Sequence, residues 1–266
     1  MFKKILEGIG EQLCISKWQL ENELEEITFP PGEYLFYRLI GEGIMSIDGK
    51  KLPPFNDRNI ITDNNVQSIQ ILWNNTFVIS LQPLSKYLDI IVICLDGENL
   101  PEEIQNTIHV GEYTEHQVGK GNYFRKVREI HNKPDGLSIF SGETLNPPGN
   151  WSSWPPHATE QDIRDFYEGE TFWNEAFFVI TPGYGLMHTD GIYDAGGTGL
   201  TTYKNAREKN MKAVFVRNGD CFYTPLGSHP IVADPQNWLW YAWFYWGNSL
   251  QKQYNKWATD VRTYVK

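Results

Sequence analysis

An all-β chain organised in two halves is what the sequence predicts, on three observations. Aromatic residues make up 14% of it, with Trp alone contributing 10, and aromatic and β-branched side chains suit the pleated, half-buried surface of a sheet. Short apolar runs of strand length recur between turn residues without amphipathic helices among them, the pattern of a sandwich or barrel. The stretch from Asp96 to Gly121 is polar and broken by Gly119-Lys120-Gly121, so it separates the runs into two sets.

Taken in order, Glu21 to Glu26 is acidic and Ile27-Thr28-Phe29-Pro30-Pro31-Gly32 introduces a turn. Strand-like runs follow at Tyr34 to Ile40, Gly43 to Ile47, Val66 to Trp73, Phe77 to Leu81 and Asp89 to Leu95. Asp48-Gly49 after the second of these is a hairpin turn signal. Within the polar divider, Pro101-Glu102-Glu103 marks a helix start. The pattern resumes at Tyr123 to Ile130, Leu137 to Ser141, Ala176 to Ile180, Tyr184 to Thr189, Lys212 to Val216, Asp220 to Thr224 and Trp238 to Trp246. Ala195 to Gly199 and Lys204 to Asn210 read as a long loop, and Gln251 to Lys266 as a polar tail that packs across the barrel or runs as a short helix. Asn146-Pro147-Pro148-Gly149-Asn150-Trp151-Ser152-Ser153-Trp154-Pro155-Pro156-His157 carries two Pro-Pro pairs, which fix φ and remove backbone donors. That stretch is expected to be a rigid, extended lead-in to His157, neither helix nor central strand. Pro30-Pro31-Gly32 and Pro147-Pro148-Gly149, each followed by a polar and an aromatic residue, hint at an internal repeat.

A chain of 266 residues can bury a sizeable core. Its net charge of -10 argues against nucleic acid or an anionic membrane as partner. Three cysteines, Cys14, Cys94 and Cys221, are widely spaced and form no CxxC pair, which points to a reducing compartment. The N-terminus reaches Glu7 before any apolar run of signal-peptide length. The longest apolar run, Trp238 to Trp246, is far short of the roughly 20 residues a membrane helix needs. The expectation is a cytoplasmic protein with no membrane partner.

All six histidines, His109, His116, His131, His157, His188 and His229, lie in the second half or at its threshold. His157 ends the Pro-Pro stretch, Glu175 opens an aromatic strand and His229 sits in a Gly-Ser-His-Pro turn. Two imidazoles and a carboxylate brought together from separate strands make a first-row metal site. Taken singly, His157 and His229 read better as turn residues held by hydrogen bonds; it is their combination that points to a metal.

The run Gly142-Glu143-Thr144 through the Gly-Asn-Trp-Ser-Ser-Trp-Pro-Pro-His string, then Asn174-Glu175-Ala176-Phe177-Phe178 and Pro225-Leu226-Gly227-Ser228-His229-Pro230, resembles the 5-deoxy-glucuronate isomerase family of inositol catabolism. That family is similar to the uronate ketol-isomerases. The resemblance is strong from about Tyr123 to Trp246 and rests on strand and turn pattern before that. It implies a bicupin of two jelly-roll β-barrels: residues 1–118 as a cupin-like barrel without a histidine site, 119–248 as a cupin barrel with a metal, and 249–266 as the tail. The first half is then expected to serve structure, packing or contacts within a homo-oligomer.

Carried over position by position, the resemblance puts metal ligands at His157, Glu175 and His229. The family's second histidine of the His-x-His pair falls on Thr159, whose hydroxyl is a poor replacement, so the metal is weakly held, joined by another ligand or lost. His188 is the candidate substitute, and strand register decides whether it shares the face of Glu175. The implied activity is a metal-dependent aldose–ketose isomerisation of a sugar acid, with zinc, manganese, iron or nickel polarising the carbonyl. Glu175 or His188 would carry the proton. Arg125 reads either as a surface salt-bridge residue, the more ordinary role, or as the group that pairs with the substrate carboxylate through its planar fork, and Trp151 either as barrel core or as a ring that stacks on the sugar. Phe177 and Phe178 replace a tyrosine pair, and about ten extra residues lie between Ile192 and Asn210, changes that leave room for a different sugar acid on the same scaffold, although the resemblance itself implies a 5-deoxy-glucuronate-like substrate. Two other readings stay open: a metal-poor, non-catalytic carbohydrate-binding or regulatory bicupin, and a metal-dependent dioxygenase.

Overall fold

A computed structural model describes residues 2–7, 13–56, 68–96, 106–111, 113–130, 139–154, 157–159, 173–180, 198–203, 212–217, 220–224, 229–247 and 257–259. Beyond one short 3-10 turn at Gly121–Tyr123, the regular structure among these residues is all strand. The chain divides into two compact units, the first running through Tyr113 and the second beginning at Thr114.

The first unit holds β1 (Phe2–Glu7), β2 (Leu13–Leu20), β3 (Glu25–Phe29), β4 (Gly32–Ile40), β5 (Gly43–Ile47), β6 (Lys50–Lys51), β7 (Ser68–Trp73), β8 (Phe77–Pro83), β9 (Leu88–Asp96) and β10 (Thr107–Val110). Six of them form one sheet in the order β1-β2-β9-β4-β7-β10, and four form another in the order β3-β8-β5-β6. Asp48 and Gly49 join β5 to β6 with φ of 47° and 77°. Two left-handed residues are what a tight hairpin requires, so the Asp-Gly signal is met. Packing between the sheets is apolar and aromatic. Phe29 stacks on Trp18 and Phe77 at ring separations of 5.8 and 5.4 Å, and Tyr34 meets Phe77 edge-on. Rings of this size dominate burial and fill the space between the sheets. His109, on β10, lies opposite Gln70 on β7, while its neighbour Ile108 packs against the core.

The second unit holds β11 (Tyr113–Val118), β12 (Arg125–Ile130), β13 (Ile139–Asn146), β14 (Trp151–Ser152), β15 (His157–Thr159), β16 (Trp173–Ile180), β17 (Thr198–Tyr203), β18 (Lys212–Arg217), β19 (Cys221–Thr224), β20 (Ile231–Ala233), β21 (Leu239–Gly247) and β22 (Trp257–Thr259). Its sheets run β11-β12-β13-β21-β16-β19, β14-β20-β17-β18 and β15-β22. Set side by side, β1-β2-β9-β4-β7 and β12-β13-β21-β16-β19 have the same chain order, as do β3-β8-β5-β6 and β14-β20-β17-β18. The internal repeat is therefore one of topology.

The Pro-Pro-Gly match misplaces that repeat. Pro30-Pro31 lies between β3 and β4, whereas Pro147-Pro148 lies between β13 and β14, the equivalents of β2 and β3. In chain order it is Pro155-Pro156, after β14, that answers to Pro30-Pro31. The lead-in expectation also needs correction at its first residue. Asn146 closes β13, a central strand between β12 and β21, and the ladder stops there because Pro147 has no N–H to donate.

Three further stretches depart from expectation. The polar divider contains β10 and β11, and the first part of the expected loop after Ala195 becomes β17, where Gly199 lets Val216 and Leu239 approach to 3.0 and 3.2 Å of a Cβ position. Part of the tail is β22, paired with β15. The Pro101 helix start and the Tyr184 to Thr189 strand lie outside the described residues.

Candidate functional site

In the second unit the space between the sheets combines an apolar cluster of Val216, Ile231, Ala233, Leu239, Tyr241 and Trp243 with buried polar groups, among them Arg125, Thr144, Asn146 and Ser152. Register explains how they meet. Val127 pairs with Thr144, and Thr144 with Tyr241. Val127 packs on the apolar cluster, and Trp243 Nε1 donates to Thr144 Oγ1 at 3.2 Å, so this row faces inward. Alternation then places Arg125 and Asn146, two positions further along their strands, on the same face. The pairing of Lys126 with Leu145 sets Arg125, the next residue out, across from Asn146, and Asn146 pairs with Leu239.

Arg125 is 6% exposed. Its Nη1 donates to the carbonyls of Tyr123 at 3.2 Å and Trp154 at 3.3 Å, and among the described residues no carboxylate neutralises it. Burial pushes the guanidinium pKa down, with Tyr241 opposing. Tyr241 Oη donates to Ser152 Oγ at 2.6 Å, both groups being buried. Asn146 is fully buried, and neither its Oδ1 nor its Nδ2 has a hydrogen-bond partner.

The Trp-Ser-Ser-Trp signature builds this arrangement through its backbone and small side chains. Asn150 Nδ2 donates to the carbonyls of Gly121 at 3.1 Å and Phe124 at 2.8 Å, clamping the turn that leads into Arg125. Ser153 takes the left-handed φ of 52°, uncommon for a residue other than glycine. The chain turns there, and the next carbonyl, that of Trp154, meets Arg125. Trp151 is half-buried and stands 5.5 Å from the Trp154 ring at 47°.

The expected ligands are located as follows. His157 pairs with Thr259 and Thr159 with Trp257 on the β15–β22 ladder. Glu175 pairs with Thr224 on β19 and with Tyr245 on β21, a register position in the same alternate row as Tyr241 and Trp243. His229, 3% exposed, immediately precedes Pro230, whose carbonyl accepts from Thr202 N at 3.0 Å and Thr201 Oγ1 at 3.3 Å. Among the described residues no group of three His, Cys, Asp or Glu side chains comes together, and the side chains of His157 and Glu175 are outside that set. His188 lies outside the described residues altogether. Sequence reasoning passed over Asn146, Ser152 and Tyr241. Ser152 lies inside the signature string, but only strand register shows that Asn146 and Tyr241 face Arg125.

Comparison with known proteins matches the model of the KduI/IolB family over residues 28–263. The chain belongs to the KduI/IolB family. Relatives include a 5-deoxy-glucuronate isomerase of Geobacillus kaustophilus, 34% identical over 122 residues, covering 44% of this chain and 38% of that protein. A second, from Geobacillus thermodenitrificans, is 27% identical over 191 residues, covering 70% of this chain and 57% of that protein. The matches thus span less than two thirds of either relative. Among solved structures, an IolB-like protein from Salmonella typhimurium aligns with a TM-score of 0.70 at 17% identity, over 94% of this chain and 88% of its own. An oxalate decarboxylase of Bacillus subtilis, whose Mn(II) centres are the subject of its study, aligns at 0.50 and 11%, over 91% and 74%. These likenesses agree with the all-β, cupin-type fold expected. No helix among the described residues is long and apolar enough to cross a membrane.

Proposed function

We propose that the chain is a bicupin sugar-acid isomerase whose site lies in the second unit, with Arg125 holding the substrate carboxylate. The observation that carries this is a buried guanidinium hydrogen-bonded to two backbone carbonyls and to no counter-ion among the described residues. A buried charge left uncompensated is costly, and a planar fork suits a carboxylate. Membership of a family whose curated relatives are named 5-deoxy-glucuronate isomerase supplies the reaction class.

His157, Glu175 and His229 are the residues to hold a divalent metal. Two neutral imidazoles and one carboxylate fit such an ion by chemistry, and His229 is withdrawn from solvent as a ligand would be. Bound there, the ion supplies Lewis acidity toward a carbonyl oxygen. The protein's own part is to fix the carboxylate end at Arg125, exclude water with the apolar cluster around Tyr241 and Trp243, and move a proton between neighbouring carbons through Glu175 or His188. Trp151, half-buried beside Trp154, offers a ring for the sugar. In this reading the first unit, through Tyr113, is scaffold and the second, from Thr114, is the site-bearing half of a cytoplasmic protein.

Thr159, in place of a family histidine, favours a second reading: a carbohydrate-binding relative that kept the site and lost the chemistry. Protein purified without chelator, reconstituted with zinc, manganese, iron or nickel and analysed for bound metal separates the two. The isomerase reading expects near-stoichiometric metal, lost in His229→Ala, and interconversion of an aldehydic uronate with its ketose by proton NMR. An empty, inactive wild-type protein that still binds sugar acids would leave only the binding module.

A further inference from the structure

We propose that Arg125 and Asn146 together read an α-hydroxycarboxylate, the guanidinium taking the carboxylate and the carboxamide taking the hydroxyl on the adjacent carbon. This rests on the proposed site and adds its substrate class. Carrying the β12–β13 register one residue past Lys126–Leu145 sets the two across from each other on the inward face, and side chains directly opposite in antiparallel strands have Cβ atoms about 4.5–5.5 Å apart. That spacing suits neighbouring functional groups on one short carbon chain.

The repeat of topology shows that folding does not call for Asn146. In the first unit, β2 ends at Leu20, which pairs with Leu88, the first residue of β9. In the second, β13 ends at Asn146, which pairs with Leu239, the first residue of β21. Leu20 and Asn146 therefore hold equivalent positions. Leu20 is 1% exposed and belongs to the apolar core, as the position asks. Asn146 is 0% exposed with both ends of its amide unpartnered. A buried amide with no partner is expensive, and one donor beside one acceptor is the complement of a hydroxyl, which can accept from Nδ2 and donate to Oδ1. Two other polar side chains of the same face are already engaged, Thr144 with Trp243 and Tyr241 with Ser152, so the Asn146 carboxamide is left for the ligand.

The consequence is discrimination. A ligand lacking oxygen beside the carboxylate leaves the carboxamide unpaired, and sites built to hydrogen-bond a hydroxyl reject analogues without it strongly. The curated relatives are named for a sugar acid that is deoxygenated at carbon 5, next to its carboxylate. This chain is accordingly assigned to sugar acids that keep that oxygen.

Calorimetric titration of the metal-reconstituted full chain with D-gluconate and 2-deoxy-D-gluconate tests this, because both are open-chain acids that differ only in the hydroxyl beside the carboxylate. The expected result is gluconate bound roughly tenfold or more tightly, as one well-made hydrogen bond allows. In Asn146→Leu the ratio falls to about one through loss of gluconate binding, while 2-deoxygluconate binding is kept. Equal affinity of wild type for both acids overturns the role of Asn146 and leaves the Arg125 site standing. Binding of neither acid overturns the site itself, and an undiminished ratio in Asn146→Leu also refutes the assignment. The wild-type comparison needs no variant, so it decides even if Asn146→Leu fails to fold.

Discussion

Leucine has the same heavy-atom branching as asparagine, so Asn146→Leu replaces two unpartnered polar atoms with two methyl groups at almost unchanged shape. In the folded state the wild-type carboxamide forfeits its water hydrogen bonds and gains none. Each such buried orphan costs about 1–3 kcal/mol. The slightly greater bulk of the methyl groups returns about 1–3 kcal/mol as overpacking against Leu239 and its neighbours. The balance is a stabilisation of roughly 1–3 kcal/mol, which in a unit of about 150 residues corresponds to a rise of roughly 2–10 °C in melting temperature. Scanning calorimetry reads it, with tryptophan fluorescence in urea as a second probe because a chain of two units need not unfold in one step. A melting temperature lowered by several degrees would refute the reasoning, since it would mean that the carboxamide is well partnered in the folded protein.

Three other outcomes follow from the same structure. Arg125→Lys should weaken binding of gluconate about tenfold or more by titration, because an ammonium cannot reproduce the fork while also reaching two carbonyls; unchanged affinity would move the carboxylate elsewhere. Glu143→Ala removes the acceptor of both Arg128 Nη1 at 3.2 Å and Trp240 Nε1 at 2.9 Å. It should cost about 3 kcal/mol by urea denaturation, the low end for a broken buried pair because Arg128 keeps Glu115 at 2.8 Å; a loss under about 1 kcal/mol would contradict this. Burial, helped by Asp220, pushes the Cys221 thiol up to about 12. The reactive thiolate is then scarce at pH 8, so iodoacetamide followed by peptide mass mapping should label Cys221 far more slowly than an ordinary exposed thiol; labelling at the rate of a free thiol would refute it.

The strands that the sequence reveals are those with strong apolar runs. Gly43–Ile47 coincides with its expected span, and Lys212–Arg217 with the expected Lys212 to Val216 to within one residue. Strands with a wet face escaped. β3 alternates half-buried and exposed residues, and β11 is exposed along most of its length, so neither presents an apolar run. β17 hid behind the glycine-rich sequence at its start, where Gly199 is there because Val216 and Leu239 press against it. The cysteines show the same limit at longer range. Cys14 and Cys94, widely spaced in the chain, are direct cross-strand partners on β2 and β9.

Of the site, Arg125 and the Trp-Ser-Ser-Trp string were legible because they belong to a recognisable motif. Their partners were not. Asn146 looks like the start of a Pro-rich segment until its register with Leu239 is known, and Tyr241 looks like one more aromatic in a hydrophobic strand until its hydroxyl is found on Ser152. Hydrogen bonds between residues nearly a hundred positions apart leave no trace in local pattern.

The central claim is that one site in the second unit joins Arg125 to the three ligand positions. A crystal structure with D-gluconate and Mn(II), phased to show anomalous scattering, tests it directly. The expected density places the gluconate carboxylate on the Arg125 fork and a single manganese peak touching His157, Glu175 and His229. A carboxylate bound elsewhere, or imidazoles at 157 and 229 turned away from the carboxylate at 175, would contradict it.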